Sequence, residues 1–235
     1  HAALNRGIRE ARGEFFVIVD SDNVLLPHAL EFLVTGWRSI PEDRRASFCG
    51  VAALCADPEG RIVGTPFPRD GLDSDYVEIR TRYRVRGDKA ELYRTEVIRA
   101  FPLYPEYEGE TFVPEGLLWN RVAAAGYRMR FFNEVVQVVE YLPDGLTAQG
   151  ARKTVRSPRG ARLYFEEFIR MPRRLPPRVL LYHYANYFRF SLHCGIPTGQ
   201  VIAEAPSKPW LALAAVPGFL VYLRDRWVIQ GGAPR

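Results

Sequence analysis

Two acids one residue apart, Asp20 and Asp22, close the apolar run GEFFVIVDSDNVLLP that extends from Gly13 to Pro27. Carboxylates this close repel each other and resist desolvation unless a cation or hydrogen-bond donors compensate. A divalent ion, Mg²⁺ or Mn²⁺, does so directly when one or two carboxylates hold it and substrate phosphates complete its shell. The plainer reading has Asp22 or Asn23 capping a following helix and the other acid in solvent. The tripeptide recurs as Asp73-Ser74-Asp75 in PRDGLDSDY, a Pro- and Gly-containing acidic stretch that reads as an exposed loop. A second group of acids, Glu108, Glu110 and Glu115, lies in EGETFVPEGLLWNRVAAAGY. Pro114 suits the first turn of a helix, which places Glu115 where the helix dipole favours its anion and where it could act as a general base. On these grounds alone a dipole-stabilised acid without chemistry is the better account of Glu115.

The elements that must carry these acids follow from the pattern. NRGIREARGEFFVIVD reads as a helix with Ile8 and Ala11 on one face, a stop at Gly13, and a strand. Phe15 to Val19 is continuously apolar, as in a strand covered on both faces within a parallel sheet. Residues i and i+2 of a strand point the same way, so Asp20 and Asp22 are expected to project together at its carboxyl end, where open α/β sheets bind ligands. PHALEFLVTGW reads as a helix turning Leu30, Leu33 and Val34 inward. ASFCGVAALCADPEGRIVG reads as two strands about an Asp-Pro-Glu-Gly turn. DKAELYR, TEVIRAF, and the segment from Val113 to Tyr141 add a strand, a short helix, and a helix followed by one or two strands. This order argues for an α/β sandwich.

Composition narrows the classes. The 235 residues suffice for one large domain, or one domain with an appendage. Three cysteines and four histidines, none at metal-ligand spacing, argue against a disulfide framework and against zinc. Between Arg152 and Arg189 ten Lys/Arg face only two acids, a stretch that fits a solvated helical face or contact with phosphates or anionic lipid. The texture beyond residue 150 is helical, with Arg, Pro and aromatics prominent. Tyr182, Tyr184, Tyr187, Phe188 and Phe190 crowd too densely for one stripe and read as core. The apolar run from Trp210 to Leu223 is shorter than the roughly 20 residues needed to span a bilayer and reads as a packed or interfacial helix. Basics and aromatics are not interleaved on a nucleic-acid-binding module.

With these residues in place, NRGIREARGEFFVIVDSDNVLLPHALE resembles the core of inverting glycosyltransferases of family 2, in Asn5, Gly7, Ile8, Ala11, Gly13, Glu14 and Asp20-Ser21-Asp22. PEGLLWNRVAAAGY resembles that family's second signature. Matching Leu118, Trp119, Arg121, Gly126 and Tyr127 puts Glu115 at the position of the catalytic acid, with Pro114 in place of the acid before it. The strings RGDKAELYRTEVI, EGETFVPEGLLWN and EYLPDGLT are similar to a bacterial, non-processive branch. The Gln-x-x-Arg-Trp of processive synthases is absent from the sequence.

The resemblance implies an α/β, GT-A-like fold with a mixed, mostly parallel sheet flanked by helices. It divides the chain into a core over residues 1–148, lacking the family's first strand, and a helical, basic and aromatic extension over 149–235. It implies inverting, metal-dependent transfer of a sugar from a nucleotide-sugar donor to a glycan or lipid-linked acceptor, in cell-envelope polysaccharide synthesis. Asp20 and Asp22 would hold Mn²⁺ or Mg²⁺ at the donor diphosphate, with Asn5 and Lys89 also on the donor side. Glu115 would be the base, with Glu110 its competitor. The implied location is the cytoplasm; outside the motif match, the basic run and the Trp210–Leu223 segment of the extension fit a peripheral contact with the inner face of the membrane. Without the missing strand, weak donor binding is expected. A nucleotidyltransferase and a non-catalytic sugar- or nucleotide-binding module remain open alternatives.

Overall fold

The computed structural model describes residues 1–141 and 151–230. The expected domain boundary at 148 and the part of EYLPDGLT beyond Tyr141 lie outside the described residues. Among the described residues two compact units emerge, one of Ala2–Leu103 with residues 118–141, the other of His1, Tyr104–Leu117 and residues 151–230.

The first unit contains α1 (Ala2–Glu10), β1 (Phe15–Val17), β2 (Asn23–Leu25), α2 (Ala29–Arg38), α3 (Glu42–Arg45), β3 (Phe48–Ala56), β4 (Leu72–Ser74), α4 (Tyr76–Thr81), β5 (Lys89–Arg94) and α5 (Thr95–Arg99). After the excursion through 104–117 come α6 (Gly116–Ala124), which begins in the second unit, and β6 (Arg128–Val139). The strands form one sheet in the order β1-β5-β3-β6-β2, and β4 shares with β2 the outer edge of β6.

The α/β, GT-A-like architecture with flanking helices is the expected one, but the balance of strand directions is not. Among the described residues only β3 and β6 pair in parallel, and the other four pairings are antiparallel. The apolar runs reported burial, which does not fix direction. All nine residues of β3 are buried, yet it runs antiparallel to β5 on one side and parallel to β6 on the other. β1 departs in the same way. It is a half-buried strand at the end of the sheet, antiparallel to β5, with Phe15 and Val17 packed on the core beneath α2 and Phe16 near Gly7 of α1.

That core gathers Ala29, Leu33 and Trp37 of α2 with Val51, Leu92 and Val136 of the sheet. Of the side chains expected inward on α2, Leu33 is buried and Val34 partly so, but Leu30 is 54% exposed. The second strand expected after Asp57–Gly60 reduces to a single bridge between Ala56 and Ile62. Gly50 of β3 has no room for a side chain, since a Cβ there would lie 1.9 Å from the Leu92 carbonyl oxygen.

The strand order has a consequence for the acids. β1 and β2 are consecutive in the chain but stand at opposite ends of the five-strand path. Residues 18–22 therefore run from one edge to the other across the carboxyl ends of β3 and β6 and the amino end of β5. Four inter-strand spacings in a flat sheet amount to about 19 Å. Six Cα–Cα steps from Val17 to Asn23 reach about 21 Å only when fully extended. The segment instead contains a turn, closed by the Asn23 N–H donating to the Asp20 carbonyl at 3.0 Å. The sheet must curl to bring its two edges within reach.

The second unit carries α7 (Ala151–Val155), α8 (Pro158–Ile169), α9 (Pro177–His193), α10 (Thr198–Glu204) and α11 (Lys208–Gln230). Phe165 stacks on Phe190 at 5.6 Å and Phe168 on His183 at 3.5 Å, joining α8 to α9. Four of the five clustered aromatics of α9 are buried, because α8 and α11 both pack against it; Tyr182 is exposed. Between α9 and α11, Arg189 donates to Asp225 at 2.5 Å and His193 lies 3.1 Å from the same oxygen. No helix among the described residues is long and apolar enough to cross a membrane.

Candidate active site

Asp20 and Asp22 sit on the crossing segment, at the carboxyl end of the parallel pair β3 and β6, where the fold class places ligands. Strand alternation does not position them, as the sequence had suggested. β1 ends at Val17, and the Asp20–Asn23 turn sets their directions. Neither caps a helix, because β2 intervenes before α2. Both are exposed, and among the described residues neither side chain accepts a hydrogen bond or forms an ion pair. Desolvation pushes the Asp20 carboxyl above the usual range, and the charges of Asp22 and Asp88 push it further. Among the described residues, the segment thus concentrates negative charge with no cation paired to either acid.

Asp88 is the residue that sequence reasoning passed over. It lies just before β5, and Tyr141, just after β6, donates to its carboxylate at 2.7 Å. Burial and this bond push the Tyr141 hydroxyl pKa up. The signal was present in Arg-Gly-Asp-Lys immediately ahead of a strand, but only the strand order brings that string to the same end of the sheet as Asp20.

Lys89 stands next in sequence, with its ammonium held on the main chain. It donates to the carbonyls of Arg86 at 2.8 Å and Asp88 at 3.1 Å, and to those of Val63 and Gly87 at 3.3 and 3.4 Å. Burial lowers its pKa to about 8. These bonds join two turns whose glycines, Gly64 and Gly87, have φ of 78° each and meet backbone to backbone. Lys89 thereby fixes the loop that presents Asp88. Asn5, the other residue expected on the donor side, is fully buried within the first unit.

Among the described residues no group of three or more His, Cys, Asp or Glu side chains is arranged to hold a metal ion. Asp20 and Asp22 nevertheless suit Mg²⁺ or Mn²⁺ in chemistry. They are hard oxygen donors, lack protein partners, and crowd charge that a divalent ion would relieve; such ions take one or two carboxylates and complete their shell with phosphates and water.

The second Asp-Ser-Asp is occupied throughout, and it is not the exposed loop expected. Asp73 is in β4, where Arg130 Nε and Nη2 donate to its two oxygens at 2.7 and 2.9 Å and Arg44 adds a bond at 3.0 Å. Burial opposes its ionisation, but these cations outweigh it and hold the carboxyl below the usual range. Asp75 caps α4, accepting the N–H groups of Val77 and Glu78 at 2.9 and 2.8 Å.

In the second unit the two candidate bases differ sharply. Glu110 presents only 5% of its side chain. It accepts the N–H of Arg159 at 2.8 Å, that of Gly160 at 3.0 Å and the Arg159 guanidinium at 3.0 Å, and so caps the amino end of α8. Glu115 is exposed, immediately before α6 rather than within its first turn. Its carbonyl accepts the Tyr104 hydroxyl at 2.8 Å, which fixes the backbone there. The rest of the Leu-Trp-x-Arg string packs the first unit. Trp119 stacks on Tyr93 at 4.1 Å, and Arg121 donates to the Pro102 and Leu103 carbonyls at 2.6 and 3.2 Å.

Residues 1–101 match the family model for glycosyl transferase family 2, a span that includes Asp20, Asp22, Asp88 and Lys89 and ends before Glu110 and Glu115. No curated protein matches the chain. Among solved structures, the chain is similar to Staphylococcus aureus TarS 1–349, crystallised in complex with UDP-GlcNAc. The TM-score is 0.56 at 15% identity, over 97% of this chain and 71% of that chain. At that identity the likeness establishes the fold, a GT-A-like one with a helical C-terminal part. Together with the match over residues 1–101, it supports glycosyl transfer as the activity.

Proposed function

We propose that the protein transfers a sugar from a nucleotide-sugar donor to an acceptor hydroxyl, with inversion at the anomeric carbon and dependence on a divalent ion. The observation that carries this reading is the crossing segment, which sets the unpartnered Asp20 and Asp22 at the carboxyl end of the parallel strand pair within the family match. TarS 1–349 in complex with UDP-GlcNAc supports a nucleotide sugar as donor.

Asp20 and Asp22 would hold Mg²⁺ or Mn²⁺, which when bound neutralises charge on a leaving diphosphate. The Asp88 loop, fixed by Lys89 and Tyr141, adds to the negative potential that makes the cation necessary. Glu115 is the base in this reading. It is the acid that the Leu118-Trp119-Asn120-Arg121 string places at the catalytic position, whereas Glu110 is engaged with the end of α8. The carboxylate takes the proton of the acceptor hydroxyl as that oxygen bonds to the anomeric carbon. The bond from that carbon to the diphosphate oxygen breaks on the opposite face, and the nucleoside diphosphate leaves with the electron pair. A glycan or lipid-linked acceptor fits this chemistry.

Incubating the protein with nucleotide sugars, with Mn²⁺ or with chelator, tests the proposal. Release of nucleoside diphosphate that requires the ion and is lost in Asp22→Ala supports it. Binding of nucleotide sugar without turnover would make the chain a non-catalytic module, and release of pyrophosphate from a nucleoside triphosphate would make it a nucleotidyltransferase.

A further inference from the structure

One side of α11 packs into the second unit through Leu211, Ala214, Gly218 and Asp225, all buried. Its other side is apolar as well, and is uncovered. Leu213, Val216, Leu220, Leu223 and Trp227, at alternating steps of three and four, are between 45% and 75% exposed. Stacked on one face of a helix, they form a stripe about 21 Å long.

The charges bordering this stripe indicate what covers it. The one acid of α11 is Asp225, buried and paired with Arg189 and His193 and, at 3.5 Å, with Arg224. The cations Lys208, Arg224 and Arg226 stand at the two ends of the helix. Spacing of three and four also suits a seam with a second copy. Yet a parallel pair would set Arg224 and Arg226 against themselves. Pro217, exposed between Val216 and Gly218, further hinders close approach of a second helix. An apolar stripe with cations at its ends, no exposed acid, and a tryptophan beside the basic end matches an anionic lipid surface.

We propose that α11 lies flat on an anionic membrane, with its Leu213–Trp227 stripe in the headgroup boundary and Arg224 and Arg226 against lipid phosphates. The assignment is independent of the reaction proposed above.

Flotation of the full 235-residue chain with vesicles tests it, comparing phosphatidylcholine alone with an equal mixture of phosphatidylcholine and phosphatidylglycerol. Trp227 is far more exposed than Trp37 or Trp119, so a blue shift of tryptophan emission reports insertion. The mixed vesicles should bind the protein, and binding should weaken as salt rises. The pair Leu213→Ser and Leu220→Ser should lower partitioning by roughly ten-fold or more. Arg226→Gln should lower it roughly five-fold on mixed vesicles only. Both replace exposed side chains, and unchanged circular dichroism would show that the fold is retained. The proposal is overturned by no binding, by equal binding to phosphatidylcholine alone, or by a stable dimer in vesicle-free buffer that the serine pair dissociates.

Discussion

Glu110 and Arg159 are bound twice, through the Arg159 main-chain N–H at 2.8 Å and its guanidinium Nε at 3.0 Å, both to Glu110 Oε1. The acid is thereby committed to the start of α8, and substitutions separate it from Glu115. Glu110→Gln should cost about 1–2 kcal/mol in thermal or urea unfolding, as lost charged caps do, and leave turnover of the folded enzyme near wild type. Glu115→Gln should lower kcat of the folded enzyme by about 10²-fold or more. Loss of turnover in a stably folded Glu110→Gln with activity retained in Glu115→Gln would reverse the assignment.

The two Asp-Ser-Asp copies should respond in opposite ways. Asp22→Ala removes a repelled carboxylate and should not lower the melting temperature, while ion-dependent turnover falls by about 10²-fold or more. Asp75→Ala should cost about 1 kcal/mol, as an N-cap. Asp73→Ala strands Arg130, itself only 14% exposed at its side chain, and should cost about 3 kcal/mol. Unfolding curves beside donor-hydrolysis assays distinguish the two patterns.

Acid should weaken the helical unit well before it protonates most carboxylates. His183 is buried against Phe168, its Nδ1–H donated to the Val179 carbonyl, and burial lowers its pKa from 6.5 to about 4. Between those values the unfolded chain binds a proton that the folded chain refuses. Stability is therefore full above pH 6.5, declines as the pH falls, and levels off below about 4. The loss is on the order of 3 kcal/mol. His193, also lowered by desolvation, acts in the same direction. His183→Phe keeps the stacking and should flatten the slope of unfolding free energy against pH.

The Arg189–Asp225 pair is buried on both sides, and the Arg189 Nη2 atom has no hydrogen-bond partner among the described residues. Asp225→Ala should cost roughly 3–5 kcal/mol by leaving a buried guanidinium unpaired. Replacing both, as Arg189→Met with Asp225→Leu, should recover much of that loss. Equal destabilisation by the single and double variants would show that shape, not charge, holds α9 to α11.

How far the sequence spoke depends on the range of the physics involved. Helices and strands were legible where one face is apolar, as at Leu33 or along β3. The acid pair was legible as chemistry because its repulsion is a property of neighbours. Direction and partnership were not. Nothing local distinguishes Phe15–Val17 at the end of an antiparallel pairing from an interior parallel strand, since burial looks the same from within a run. The two Asp-Ser-Asp copies differ because Arg130 lies opposite Asp73 in register, and that register is set by a strand far along the chain. Asp88 was hidden for the same reason, and so was Lys89's engagement with the Val63 carbonyl. The contrast between Glu110 and Glu115 was similarly hidden, because it depends on where α8 begins.

The crossing segment also sets an order of events during synthesis. Its two ends are anchored by strands made much later: β1 pairs with residues 92–94 and β2 with residues 137–139. A nascent chain emerging amino end first cannot close the loop around Asp20 and Asp22 until β6 has left the ribosome. If Asp20 and Asp22 hold the donor as proposed, donor affinity should arrive abruptly, after most of the first unit has been made.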